Sequence, residues 1–261
     1  MDRWLKMRRY RAGVFAALVI CGWGSTVVRG ADKKEILDHA RAAYYDLRGA
    51  GLVEFRCQVE PDWDTVMKSL QADPADPLAA ALKQTRFEVT VGPDGEATVS
   101  RQGPTPADAS VAERLRTTAG GLEQVLTGFF QVWAMSLHGL PGPQDGEGYQ
   151  IEEGADQYRI LQAQGDAHVV IAMDRNFMVT EITISGPNMD IAMRPRFAES
   201  PKGFLLSGYG SSMKVAGLTQ EMELAIEEQA VEGFELPAVV TARMGNVQIP
   251  LRFKSYRITK K

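Results

Sequence analysis

The chain has 261 residues, 44% of them hydrophobic and 24% charged, enough for one large domain or two small ones around a sizeable core. That balance excludes a disordered chain, a collagen-like repeat and a disulfide-dense mini-protein. With 29 Lys and Arg against 33 Asp and Glu, the formal charge is −4, which argues against a broadly basic nucleic-acid binder.

The first thirty residues read as an export signal. Arg3, Lys6, Arg8, Arg9 and Arg11 form a cationic start, followed by the uncharged run Ala12 to Val28. Gly22, Gly24, Ser25 and Thr26 interrupt that run, which is shorter than the roughly 20 apolar residues a spanning helix needs. Small residues at Val28 and Gly30 place cleavage after Gly30. The alternative is an uncleaved N-terminal anchor. Lipid attachment at Cys21 is disfavoured because Ile20, just before it, is not small. Cleavage removes six cations and one acid, which moves the formal charge from −4 to −9. It also removes Cys21 and leaves Cys57 without an intrachain partner.

The spacing of Ile36, Ala40, Ala43, Tyr44 and Leu47 predicts a helix over Lys33–Gly49, capped by Asp32. Val53, Phe55, Cys57 and Val59 then alternate with Glu54, Arg56 and Gln58, as in a half-buried strand. Cys57 falls on the apolar face and is expected to be a buried, unpaired thiol. A short helix follows from Asp62-Trp63-Asp64 to Gln71, and a second helical piece covers Leu78–Gln84. Together they form a helical insertion at about residues 62–84. Phe87, Val89 and Val91 open a hairpin that turns at Gly92-Pro93-Asp94-Gly95 and returns over Ala97–Arg101.

The longest helix is predicted from Ala109 to His138, with Asp108 as its cap and Gly120-Gly121 as a kink or break. Its second half is apolar nearly all round, which normally means burial. Glu123, Gln124 and Gln131 argue against a membrane span. From Tyr149 to Ile258 the pattern is strands and turns alone. Met178, Thr180, Ile182 and Ile184 share one face. Met189, Ile191 and Met193 share another, as do Met222, Leu224 and Ile226, and Val247, Ile249, Leu251 and Phe253. Repeated apolar and charged faces along a meander predict an antiparallel sheet wet on one side.

No catalytic constellation emerges. His39, His138 and His168 lack partners at metal-ligand spacing, and neither H-E-x-x-H nor C-x-x-C occurs. There is no G-x-S-x-G elbow and no phosphate-binding glycine loop. Asp62 and Asp64 suit a helix cap better than a glycosidase pair. No catalytic residue, metal or cofactor is assigned. The methionines on strand faces suit either core filling or the lining of an adaptable apolar cavity.

The order of elements carries a resemblance. Its parts are a leader, a first helix with ARAAYYDLRG (Ala40–Gly49), the strand VEFRCQVEPDW (Val53–Trp63), central helices and a long meander. The chain closes on LPAVVTARMGNVQIPLRFKSYRI (Leu236–Ile258). This resembles the outer-membrane lipoprotein carrier (LolA-like) and lipoprotein-sorting superfamily, which includes the sensor domain of sigma-E regulators. The resemblance covers nearly all of the chain after residue 30 and rests on element order rather than on a motif. It implies a single α+β domain over residues 31–261, a curved antiparallel sheet (an incomplete β-barrel) with helices covering its concave apolar face. It also implies a periplasmic, non-catalytic carrier or sensor that binds a lipid or acyl chain, with a lipoprotein or envelope protein as a possible partner and no nucleic acid. No polar ligand-binding residue of the family is matched here.

The expected apolar cavity lies between the helix residues Phe129, Phe130 and Trp133 and the sheet residues Met178, Ile182, Met189, Met193, Met222 and Leu224. These are the large apolar faces of the chain, and both need hiding. The alternative is an envelope scaffold or partner-binding domain with a filled core; a hydrolase is a weaker third reading.

Overall fold

A computed structural model describes residues 26–27, 30–139, 143, 148–215 and 217–261. The expected leader, residues 1–30, lies outside the described residues apart from Thr26, Val27 and Gly30.

The fold is α+β. In chain order the elements are β1 (Thr26–Val27), α1 (Gly30–Ala42), β2 (Leu52–Pro61), α2 (Trp63–Ser69), α3 (Pro77–Lys83), β3 (Arg86–Val91), β4 (Ala97–Gln102) and α4 (Ala109–Ala134), which ends in the 3₁₀ turn Met135–His138. The meander follows: β5 (Tyr149–Glu153), β6 (Gln157–Gln164), β7 (Ala167–Asp174), β8 (Val179–Gly186), β9 (Met189–Ser200), β10 (Gly203–Val215), β11 (Leu218–Val231), β12 (Phe234–Met244) and β13 (Val247–Lys260). One thirteen-stranded sheet takes the order β1-β5-β6-β7-β8-β9-β10-β11-β12-β13-β2-β3-β4. Every neighbouring pair in it is antiparallel. The sheet is curved and open, with β1 and β4 at its two ends.

The first helix is shorter than its apolar stripe predicts. It stops at Ala42 because the next residues pair with the sheet instead. Phe204 N donates to Ala43 O at 2.9 Å and Tyr45 N donates to Phe204 O at 3.1 Å. Gly203 permits that approach. Its φ is +109°, and a Cβ there would sit 2.7 Å from the Tyr44 carbonyl carbon.

The insertion is two short helices. Asp62 Oδ1 accepts from Thr65 N at 3.1 Å and caps α2, while Asp76 Oδ1 accepts from Leu78 N at 2.9 Å and caps α3. Asp64 pairs with Lys83 at 2.8 Å, so the acids of the Asp62-Trp63-Asp64 run serve helix ends and an ion pair. Asp108 caps α4 through Ser110 N and Val111 N. The long helix runs unbroken through Gly120 and Gly121 up to Ala134. Among the described residues, no helix is long and apolar enough to cross a membrane.

α4 lies over one end of the sheet. Trp133 meets Phe55 edge-on at 5.7 Å, and Phe130 meets both Trp133 and Phe253 edge-on at 6.0 Å. These rings are buried, as are Val59, Phe87, Leu126 and Leu251 around them. α1 covers another part of the same face. There Tyr44 packs edge-on against Phe197 and Phe204 at 5.1 and 5.4 Å. One continuous apolar cluster joins the two regions.

Candidate functional site

In antiparallel strands, register partners point to the same face, so the pairing lists which side chains form a row. Across the middle of the meander the innermost row is Pro195, Tyr209, Leu224, Ala242 and Ile249. Next outward come Ile182, Met193, Ser211 and Met222, then Ile184, Ile191, Met213 and Gln220. Gly186, Met189, Val215 and Leu218 form the last row, at the hairpin ends.

Burial falls steadily along these rows. Leu224 is 1% exposed and Met193 8%, whereas Met213 is 36%, Val215 40% and Leu218 78% exposed. Ser211, Met222, Ile184, Ile191 and Met189 are half-buried. The apolar face therefore continues past its cover and becomes a shelf open to solvent. Methionine side chains adapt their shape, and Met189, Met193, Met213 and Met222 all stand on it.

Ile182, Met189, Met193, Met222 and Leu224, expected from sequence to line a cavity, share the sheet face that continues into this shelf; Ile182, Met193 and Leu224 are buried, and Met189 and Met222 are half-buried at its edge. Phe129, Phe130 and Trp133 sit elsewhere, in tight ring contact with Phe55 and Phe253 of β2 and β13. Met178 joins neither group. Asp174 Oδ1 accepts from Asn176 N and Met178 N, at 2.9 and 2.8 Å, and prolongs the turn. The strand then starts at Val179 with a bulge at Thr180, and Val179 is buried while Thr180 is exposed. Sequence reasoning missed Met213, Val215 and Leu218. The strand that carries the first two, GFLLSGYGSSMKV, is so rich in Gly and Ser that its apolar alternation is faint.

Four polar atoms are buried without a hydrogen-bond partner among the described residues: the Tyr45 and Tyr209 hydroxyls, Arg48 Nε and Glu228 Oε2. Burial, with Glu235 nearby, pushes the Glu228 carboxyl up to about 8. Tyr256 stands between Glu228 and Cys57 and donates its hydroxyl to Pro237 O at 2.7 Å. Cys57 is buried and has no disulfide partner among the described residues, and burial pushes its thiol up to about 12. A thiol held protonated in this way is a poor nucleophile at neutral pH.

The three histidines that sequence left without partners, His39, His138 and His168, are exposed, and His39 lies 6.0 Å from the Phe177 ring. Among the described residues, no group of three or more His, Cys, Asp and Glu side chains is arranged to hold a metal. Compared with known proteins, the chain matches no family model, no curated protein and no solved structure.

Proposed function

We propose that this protein is an exported, non-catalytic carrier or sensor that binds a lipid or acyl chain on the methionine-bearing face of its open sheet. One observation carries the reading: the apolar inner face runs on, row by row, from buried Leu224 to exposed Leu218, and among the described residues nothing covers its outer rows. Each exposed apolar Å² costs roughly 25 cal/mol, so such a face favours an apolar occupant. An extended acyl chain suits a long, narrow strip flanked by charged side chains. Tyr209, on the innermost row, has a buried hydroxyl without a hydrogen-bond partner among the described residues, and a ligand's polar end reaching past the shelf would supply one. The cationic start and short apolar run of residues 1–30 support export across a bacterial inner membrane into the periplasm. The LolA-like order of elements supports the same reading.

The test is native mass spectrometry of the purified protein for co-purified lipid, together with titration by an uncharged apolar fluorophore. Bound lipid or saturable probe binding is the expected result. A protein that carries no lipid and binds no probe would leave the scaffold reading in its place.

A further inference from the structure

On the face opposite the helices, Arg56 of β2 and Arg257 of β13 are direct register partners. Like charges placed opposite each other on one face repel. The alternation of β13 alone would not put Arg257 there. Leu251 and Phe253 point inward, and a period of two would send Ser255 and Arg257 inward as well. A bulge prevents this. Ser255 and Tyr256 together oppose the single residue Cys57, and Ser255 adopts φ +54°. The left-handed region is unfavourable for a serine, and bulges of this kind re-aim side chains. Here the bulge turns Tyr256 inward and Arg257 outward.

The two arginines border a groove of about 340 Å³ lined by Arg56, Gln58, Glu88, Gln102, Ser255 and Arg257. Glu88 lies 3.8 Å from Arg56. Arg257 has no ion pair among the described residues. The adjacent Lys254 is already engaged by Glu60 at 2.6 Å and adds little. The groove thus keeps one positive charge in excess, two guanidinium forks, and the amide and hydroxyl donors of Gln58, Gln102 and Ser255. Guanidinium groups bind tetrahedral oxyanions through paired N–H donors.

We propose that this groove is a binding site for a phosphate group. The phosphate neutralises the Arg56–Arg257 repulsion and displaces Glu88 from Arg56. The shared chemistry admits a free phosphate or the phosphate of a lipid headgroup. The site lies on the opposite side of the sheet from the methionine shelf and does not depend on it.

The experiment is an amide NMR titration of the protein with inorganic phosphate at constant ionic strength, with chloride as the control. Saturable shifts at Arg56, Ser255 and Arg257 are expected with phosphate and not with chloride. Arg257→Ala should weaken binding about tenfold or more, and Arg56→Ala similarly, with an unchanged circular dichroism spectrum. Glu88→Gln should tighten it several-fold by removing the competing carboxylate. Sedimentation with phosphatidylcholine vesicles that requires phosphatidic acid, and that Arg257→Ala abolishes, assigns the phosphate to a headgroup. Saturable phosphate binding without sedimentation assigns it to a small molecule; either outcome supports the site. Shifts that are absent, that chloride reproduces, or that saturate in Arg257→Ala at the parent's phosphate concentration overturn it. Failure of the apolar probe to bind bears only on the shelf and leaves this result standing.

Discussion

The Tyr44 hydroxyl accepts a hydrogen bond from the Val179 amide at 2.7 Å and donates one to Phe177 O at 2.9 Å. A single side chain just past α1 thus closes the start of β8 on both sides. Phe177 sits at φ +64°, so this turn is held in a conformation that an aromatic residue avoids. Tyr44→Phe keeps the ring packing and removes only the oxygen. It should cost about 1–3 kcal/mol, because the Val179 amide is left buried without an acceptor. Urea unfolding checks the value; a loss below a few tenths of a kcal/mol would mean that water replaces the hydroxyl.

Glu228 makes stability depend on pH. Its carboxyl rises from an ordinary value of 4.5 to about 8 on folding, through burial and then the nearby Glu235. The folded protein therefore holds a proton that the unfolded chain releases at lower pH. Stability from this group is complete below pH 4.5 and is lost progressively up to about pH 8, after which the loss is constant. Glu228→Gln keeps the shape and cannot ionise. It should be more stable than the parent at pH 8 by a few kcal/mol and nearly equal to it at pH 4. Parallel chemical unfolding across this range is the measurement, and curves that stay parallel throughout would contradict the assignment.

Gly120 and Gly121 lie inside an unbroken helix, and a Cβ built on either meets nothing within 4 Å. Their only contribution at these positions is backbone freedom. Gly120→Ala and Gly121→Ala should each stabilise the protein by about 0.5–1 kcal/mol. Thermal unfolding shows the gain. If bending at this pair admits a ligand, the double variant also binds an apolar probe more slowly, and stopped-flow fluorescence separates the two effects.

Much of the fold is legible because burial and period coincide. β2 and β3 bury Phe55, Cys57, Val59, Phe87, Val89 and Val91, as their alternation predicts. Asp62 and Asp108 cap helices for the local reason that sequence supplies. What sequence could not show are the places where long-range pairing overrides local pattern. Ser255 shifts β13 by one residue, so that Tyr256 and Ile258 take over the inner face from Phe253. Met178 is lost to a turn held by Asp174 and Tyr44, residues that lie far apart along the chain from each other. α1 yields its last turn to Phe204. The shelf itself was half visible: Met193 and Met222 show their alternation, whereas Met213 and Val215 appear only once β9 and β11 place β10 between them.

The aromatic cluster and the shelf differ in what they do, and two substitutions separate them. Trp133 is buried and touches Phe55 and Phe130 edge-on, so its removal opens a cavity in a filled core. Trp133→Ala should cost about 3–5 kcal/mol. Met222 is half-buried on the row of Ser211, beside exposed Met213. A carboxylate there reaches water easily, so Met222→Glu should change stability by about 0.5 kcal/mol or less. It places a charge in the path of an acyl chain and should weaken an apolar fluorophore about tenfold or more. Denaturant unfolding and probe titration on the same two proteins give the comparison. If Trp133→Ala abolished probe binding while Met222→Glu left it intact, the ligand would belong under α4 and the shelf would be excluded as its site.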